Sequence, residues 1–147
     1  MVSNKQKNDD DIFQESIQFH QSGDLNKAQK GFEYLISKYP ESADLLNSLG
    51  TLHLQMGNDK KGCSLLEKSL QINPNQPMVS FNLGNSYLNQ KNLTKALEFY
   101  TTTITKAPEY LEAYIKKGEL LTDLKIHNEA IDCLKDAIEL APGNFKI

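Results

Sequence analysis

At 147 residues, with 39% apolar side chains and a formal charge of −3, the chain suits one compact domain or a short repeat array. It carries no basic field to hold nucleic acid or an anionic membrane. All sixteen cations are lysine, which excludes the planar, bidentate grip on phosphate or carboxylate that arginine supplies.

In chain order, residues 1–8 are polar and aperiodic and read as a disordered N-terminal tail. They belong to MVSNKQKNDDD, which lacks the apolar run of a signal peptide, and no later stretch approaches the roughly 20 apolar residues of a membrane helix. From residue 9 the chain repeats: Pro40, Pro74, Pro108 and Pro142 are spaced 34 residues apart, a period that marks tandem units. The first frame, 9–42, carries Ser16, Ala28, Phe32 and Ile36 at positions 8, 20, 24 and 28. The second, 43–76, places Gly50, Gly62, Leu66 and Leu70 there. The third, 77–110, has Gly84, Ala96, Tyr100 and Ile104, and the fourth, 111–144, has Gly118, Ala130, Leu134 and Ile138.

Each column has a physical reading. Small residues at positions 8 and 20 let two helices approach backbone to backbone. Large apolar residues at 24 and 28 lie one helical turn apart, on a stripe that a helix buries. Proline at position 32 ends a helix. Asp24, Asn58 and Asn92 suit the N-cap of a second helix, and Gly23 and Gly57 before them suit a tight turn. In the fourth frame KIHNEA breaks this turn rule. Every frame thus reads as helix A, turn, helix B, proline turn. Neither helix buries its stripe alone, so the pairs must stack.

These columns resemble the tetratricopeptide repeat over nearly the whole chain after residue 8. The resemblance implies an all-α fold, a right-handed α-solenoid of four tandem helix-turn-helix repeats, whose concave face, lined by positions 2, 5, 6, 9, 12 and 13 of the A helices, binds extended peptides. The phrase FNLGN, residues 81–85, resembles the repeats of O-linked N-acetylglucosamine transferases and Spindly-type proteins, where an asparagine at position 6 holds substrate main chain. Here position 6 is Gln14, Ser48, Asn82 and Lys116, so only Asn82 matches. A chaperone-type carboxylate clamp needs arginine, which is missing.

The expected peptide-binding residues are Asn47, Thr51, Phe81, Asn82, Asn85, Leu88, Asn89, Lys116 and Glu119. Asparagine is a poor interior helix former, but its amide offers donors and an acceptor to a peptide backbone. Glu112, Glu119 and Asp123 against Lys116 favour a neutral or basic partner. Residues 145–147 read as the start of a truncated fifth repeat or a tail. Ile131, Leu134 and Ile138 on the last B helix then form an apolar interface for a homo-oligomer or a further repeat.

His20, His53 and His127 occupy different repeat positions and form no catalytic constellation. His53 stands in a core column, while His20 reads as a polar surface group. Cys63 and Cys133, seventy residues apart and outside any CxxC pattern, read as small core residues in a reducing, cytoplasmic compartment. No catalytic residue, metal site or cofactor is expected. The function expected is a protein-interaction scaffold; the alternative is the substrate-recruiting module of a larger enzyme such as a glycosyltransferase or sulfotransferase.

Overall fold

The computed structural model describes residues 7–143, in which eight α-helices and no strand occur. They are α1 (Asp9–Ser22), α2 (Leu25–Lys38), α3 (Ala43–Gln55), α4 (Asp59–Ile72), α5 (Pro77–Asn89), α6 (Leu93–Lys106), α7 (Leu111–Asp123) and α8 (His127–Leu140). In all four frames the first helix begins at position 1 and the second spans positions 17–30. Proline follows each second helix by two residues.

The chain divides into two compact units, Met1–Pro74 holding α1–α4 and Asn75–Ile147 holding α5–α8. In the first, α1 packs on α2, α2 on α3 and α3 on α4; in the second, α5 packs on α6, α6 on α7 and α7 on α8.

Two residues of the expected tail are tied to the start of α1. Asn8 accepts from the Asp11 amide at 2.7 Å while Asp11 accepts from the Asn8 amide at 3.3 Å, a reciprocal capping box. Lys7 pairs with Glu15. The rest of that tail, 1–6, lies outside the described residues.

The four hairpin turns share one backbone. Position 15 adopts a positive φ in each: 84° at Gly23, 77° at Gly57, 61° at Lys91 and 62° at Lys125. The next amide bonds back five residues in each, Asp24 to Phe19, Asn58 to His53, Asn92 to Tyr87 and Ile126 to Leu121, at 2.8–2.9 Å. This is the Schellman closure of a helix. KIHNEA therefore makes the same turn as its counterparts, with Lys125 bearing left-handed strain that glycine avoids. Lys125→Gly should raise stability by about 1 kcal/mol; an unchanged or lowered urea midpoint would refute this.

The expected N-caps divide. Asp24 and Asn92 accept from the Lys27 and Lys95 amides at 3.4 and 3.2 Å. Asn58 occupies the same position but makes no side-chain cap bond. Its amide instead meets His53 Nδ1 at 3.4 Å.

The small columns are buried throughout: Ser16, Gly50, Gly84 and Gly118 on the A helices, and Ala28, Gly62, Ala96 and Ala130 on the B helices. At position 24, Phe32, Leu66 and Tyr100 have no exposed surface. Position 28 departs from expectation. Ile36, Leu70 and Ile104 are only half-buried and Ile138 is 46% exposed, whereas position 27 (Leu35, Ser69, Thr103, Ala137) is buried in every frame. Positions 20, 24 and 27 follow the i, i+4, i+7 rhythm of one helix face, which the B helix turns onto its own A helix. Ile36, one position on, packs instead at the edge of the core cluster that includes Leu45, Leu49 and Leu52 of α3. The buried hydroxyls at position 27 are satisfied: Ser69 donates to the Ala43 carbonyl at 2.8 Å, and Thr103 to the Phe99 carbonyl at 2.9 Å.

His53 is buried in its core column, as a packed aromatic would be. Asn58 Nδ2 lies 3.4 Å from His53 Nδ1, and the other ring nitrogen, Nε2, is buried with no partner among the described residues. Burial, with Lys61 nearby, holds the imidazole pKa below its ordinary 6.5. The unfolded chain therefore takes up the proton more readily than the folded one, so the stability contribution is full above pH 6.5 and is lost as pH falls below it. His53→Phe should abolish the drop in urea midpoint between pH 7.5 and 5.5. A drop that persists in the variant would assign the acid sensitivity elsewhere.

Candidate functional site

The nine expected peptide-binding residues divide between the units, with Asn47 and Thr51 on α3, and Phe81, Asn82, Asn85, Leu88 and Asn89 on α5 beside Lys116 and Glu119 on α7. Each is half-buried or exposed.

In the first unit the polar groups of this face bond to one another. Thr51 donates to Asn47 Oδ1 at 3.3 Å. His20 Nε2 lies 2.7 Å from Gln55 Oε1, linking α1 to α3, and the His20 ring stands edge-on to Phe32. His20 is thus part of a packed pair rather than an isolated surface group.

In the second unit α5 presents an uncharged face. Met78 is 65% exposed at its start, and Phe81, Asn82, Asn85, Leu88 and Asn89 follow at three- and four-residue steps. Phe81 lies in an aromatic cluster, with its ring centroid 5.0 Å from Tyr110 and 5.8 Å from Tyr100. These tilted contacts hold the ring in one place. Tyr100 donates its hydroxyl to Asn85 Oδ1 at 2.8 Å. Burial, with a smaller contribution from Glu119, pushes the Tyr100 pKa up to about 12. Burial and Glu112 also raise that of Tyr110. Asn82 and Asn89 make no side-chain hydrogen bond among the described residues, so their amides keep full donor and acceptor capacity.

Lys116 pairs with Glu119 at 3.1 Å on α7, which offsets one acidic charge and leaves Glu112 and Asp123 exposed nearby. Of the expected interface residues on α8, Ile131 and Ile138 are 51% and 46% exposed. Leu134 is half-buried and turned inward, so that a Cβ added at Gly118 would lie 2.6 Å from its Cδ2. It packs within the α7–α8 hairpin rather than on the outer surface. Residues 145–147, expected as the start of a fifth repeat or a tail, lie outside the described residues.

Two residues of the α5 site escaped the sequence reading. Tyr100 was legible as a core column but not as a partner of Asn85, since its hydroxyl has no periodic signature. Tyr110 is the N-cap residue of α7, and no periodic column marked it.

Cys133 donates its thiol to the Tyr114 carbonyl at 3.2 Å, and burial pushes its pKa up, which suits a small core residue. Among the described residues no helix is long and apolar enough to cross a membrane.

Comparison with known proteins agrees with this architecture. Family models described as tetratricopeptide repeat match residues 13–42, 43–76, 65–98 and 111–144. The mouse (Mus musculus) protein O-mannosyl-transferase TMTC1 is 32% identical over 100 residues, which is 65% of this chain and 11% of the transferase. The chain thus spans about a tenth of that relative's length. Among solved structures, MamA superimposes with a TM-score of 0.88 at 20% identity, covering 97% of this chain and 84% of MamA. YrrB, described as a TPR protein with an unusual peptide-binding site, gives 0.78 at 20% identity over 92% of this chain and 70% of its own. Identity at that level speaks for the fold alone. With family models matching all four frames, the chain belongs to the tetratricopeptide repeat family and has its α-solenoid fold class.

Proposed function

We propose that the chain is a protein-interaction scaffold that holds an extended peptide or partner segment on the inner face of its A helices. The observation that carries this reading is the α5 face. There a ring fixed by two tyrosines, Phe81, stands beside the amides of Asn82 and Asn89, which have no protein partner among the described residues. Such a surface offers apolar contact together with donors and acceptors that a peptide main chain can satisfy. Leu88, Lys116 and Glu119 belong to the same unit, Asn47 and Thr51 hold the corresponding repeat positions in the first unit, and the repeat frames are 9–42, 43–76, 77–110 and 111–144. The paired Lys116 and Glu119, with Glu112 and Asp123 exposed on the same helix, favour a neutral or basic partner by steering. Neither nucleic acid nor a membrane is the partner in this reading, no catalytic step is assigned, and a reducing, cytoplasmic setting suits the two buried thiols.

Co-purification read by mass spectrometry, comparing the chain with its Asn82→Ala/Asn89→Ala variant, tests the reading. A partner retained by the first and lost from the second, at equal thermal stability, is the expected result, because such surface changes stay within about 0.5 kcal/mol. Equal capture by both rejects the site.

A second reading makes the chain the substrate-recruiting module of a larger enzyme. It is supported by the resemblance to a mannosyl-transferase of which the match spans about a tenth. A reading frame continuing into a catalytic domain would decide for it. A homo-oligomer through Ile131 and Ile138 rests on their exposure on α8. Light scattering at high concentration, with Ile138→Lys as the control, tests that contact.

A further inference from the structure

We propose that Tyr100 makes Asn85 a donor-only group, so that the α5 face binds a neutral main-chain carbonyl oxygen of an extended peptide at this position. The proposal rests on the groove reading above and adds the polarity of one contact and the residue that sets it.

Tyr100 has no exposed surface, and Asn85 Oδ1, 2.8 Å away, is its hydroxyl's only partner among the described residues. An asparagine amide can be turned either way, but the two orientations are unequal here. With Oδ1 inward, the phenol proton is satisfied. With the amide nitrogen inward, the nitrogen donates to the phenol oxygen, and the phenol proton is left buried with no acceptor, the costly outcome for a buried polar group. A pKa pushed up to about 12 keeps that proton in place in neutral solution. Burial of Tyr100 therefore fixes the carboxamide with Oδ1 inward. Its NH₂, on a half-buried residue and without a protein partner among the described residues, remains for a ligand. Asn82, one turn earlier, has both halves of its amide open and can pair with a whole peptide group.

A lone donor selects an acceptor oxygen, which a carbonyl or a carboxylate could supply. Charge decides between them. On α7 of the same unit Lys116 is taken up by Glu119 at 3.1 Å, while Glu112 and Asp123 stand exposed, so the balance of charge there is negative and opposes a carboxylate. A neutral carbonyl meets no such opposition.

The test selects a phage-displayed library of random dodecapeptides on the 1–147 chain and measures the Kd of the strongest binder, as a synthetic peptide, against variants. Asn85→Asp keeps the acceptor for Tyr100 but removes the outward donor and adds charge; binding should weaken by about tenfold. Tyr100→Phe frees the amide to turn and should weaken binding by about threefold, although the hydroxyl never touches the peptide. In the double variant the loss should be no larger than in Asn85→Asp alone, since both changes act through one group. Thermal melts accompany each variant, and if Tyr100→Phe fails to fold, Asn85→Asp decides. Binding that needs Phe81 and Asn82 but is unchanged in Asn85→Asp overturns this proposal and leaves the groove reading standing. Selection of peptides that bind through a carboxylate overturns the neutral-carbonyl assignment. A library without binders, or binding indifferent to Phe81→Glu and Asn82→Ala, overturns the groove reading and this proposal with it.

Discussion

Phe32→Ala should lower the stability of the chain by about 3–5 kcal/mol, the range for emptying a large aromatic site in a core. Phe32 has no exposed surface and is the center of the first unit's packing. Phe13 meets its ring in an edge arrangement at 6.2 Å, His20 does so at 6.5 Å, and Ala28, Leu35, Leu45, Leu49 and Leu52 complete the cluster. These neighbours come from three helices held by their own turns, so they cannot collapse fully into the space, and the cavity term adds to the lost transfer energy. Phe32→Leu should cost less, because it retains most of the apolar volume. Urea midpoints measured at one pH with a common slope give the comparison. Equal losses for the two variants would show that the aromatic shape, not the volume, is what the cluster needs.

Gly62→Ala should destabilise by about 1–3 kcal/mol, although alanine is a better helix former than glycine by about 1 kcal/mol. The reason is a backbone crossing. A Cβ at Gly62 would lie 2.9 Å from the Gly50 carbonyl oxygen and 2.6 Å from Leu54 Cδ2, and a Cβ at Gly50 would lie 3.1 Å from the Gly62 carbonyl oxygen. A leucine methyl can swing aside, but a carbonyl inside a helix cannot. Separation of α3 from α4 is then the only relief, and it loosens Leu66 and the buried His53 together. Gly143→Ala, where a Cβ meets nothing within 4 Å, is the control and should change stability little. A Gly62 variant that melts with the parent would mean that the two helices do not touch through their backbones.

The 34-residue period, the helix pair in every frame, the small columns at positions 8 and 20 and the burial of Phe32, Leu66 and Tyr100 were all legible in the order of the amino acids. Each of these is written locally, in spacing along one helix or in a proline that ends it, and recurs four times, so chance agreement averages out. Features that depend on what a neighbouring segment offers emerged from folding alone. Ser69 and Thr103 are buried because a carbonyl at the start of the preceding helix receives each hydroxyl, Ala43 at 2.8 Å in one case and Pro77 at 3.4 Å in the other. Asn58 turns from its own helix to His53 because the buried ring presents an open nitrogen there. Lys91 and Lys125 take left-handed angles that lysine disfavours because the paired helices require the same closure that glycine makes elsewhere. Asn85, one amide among several on α5, differs from Asn82 solely because the buried hydroxyl of Tyr100, fifteen residues away in sequence, occupies its oxygen. Hydrophobic period is a property of a single helix, whereas the pairing of a polar atom belongs to two groups that only folding brings together.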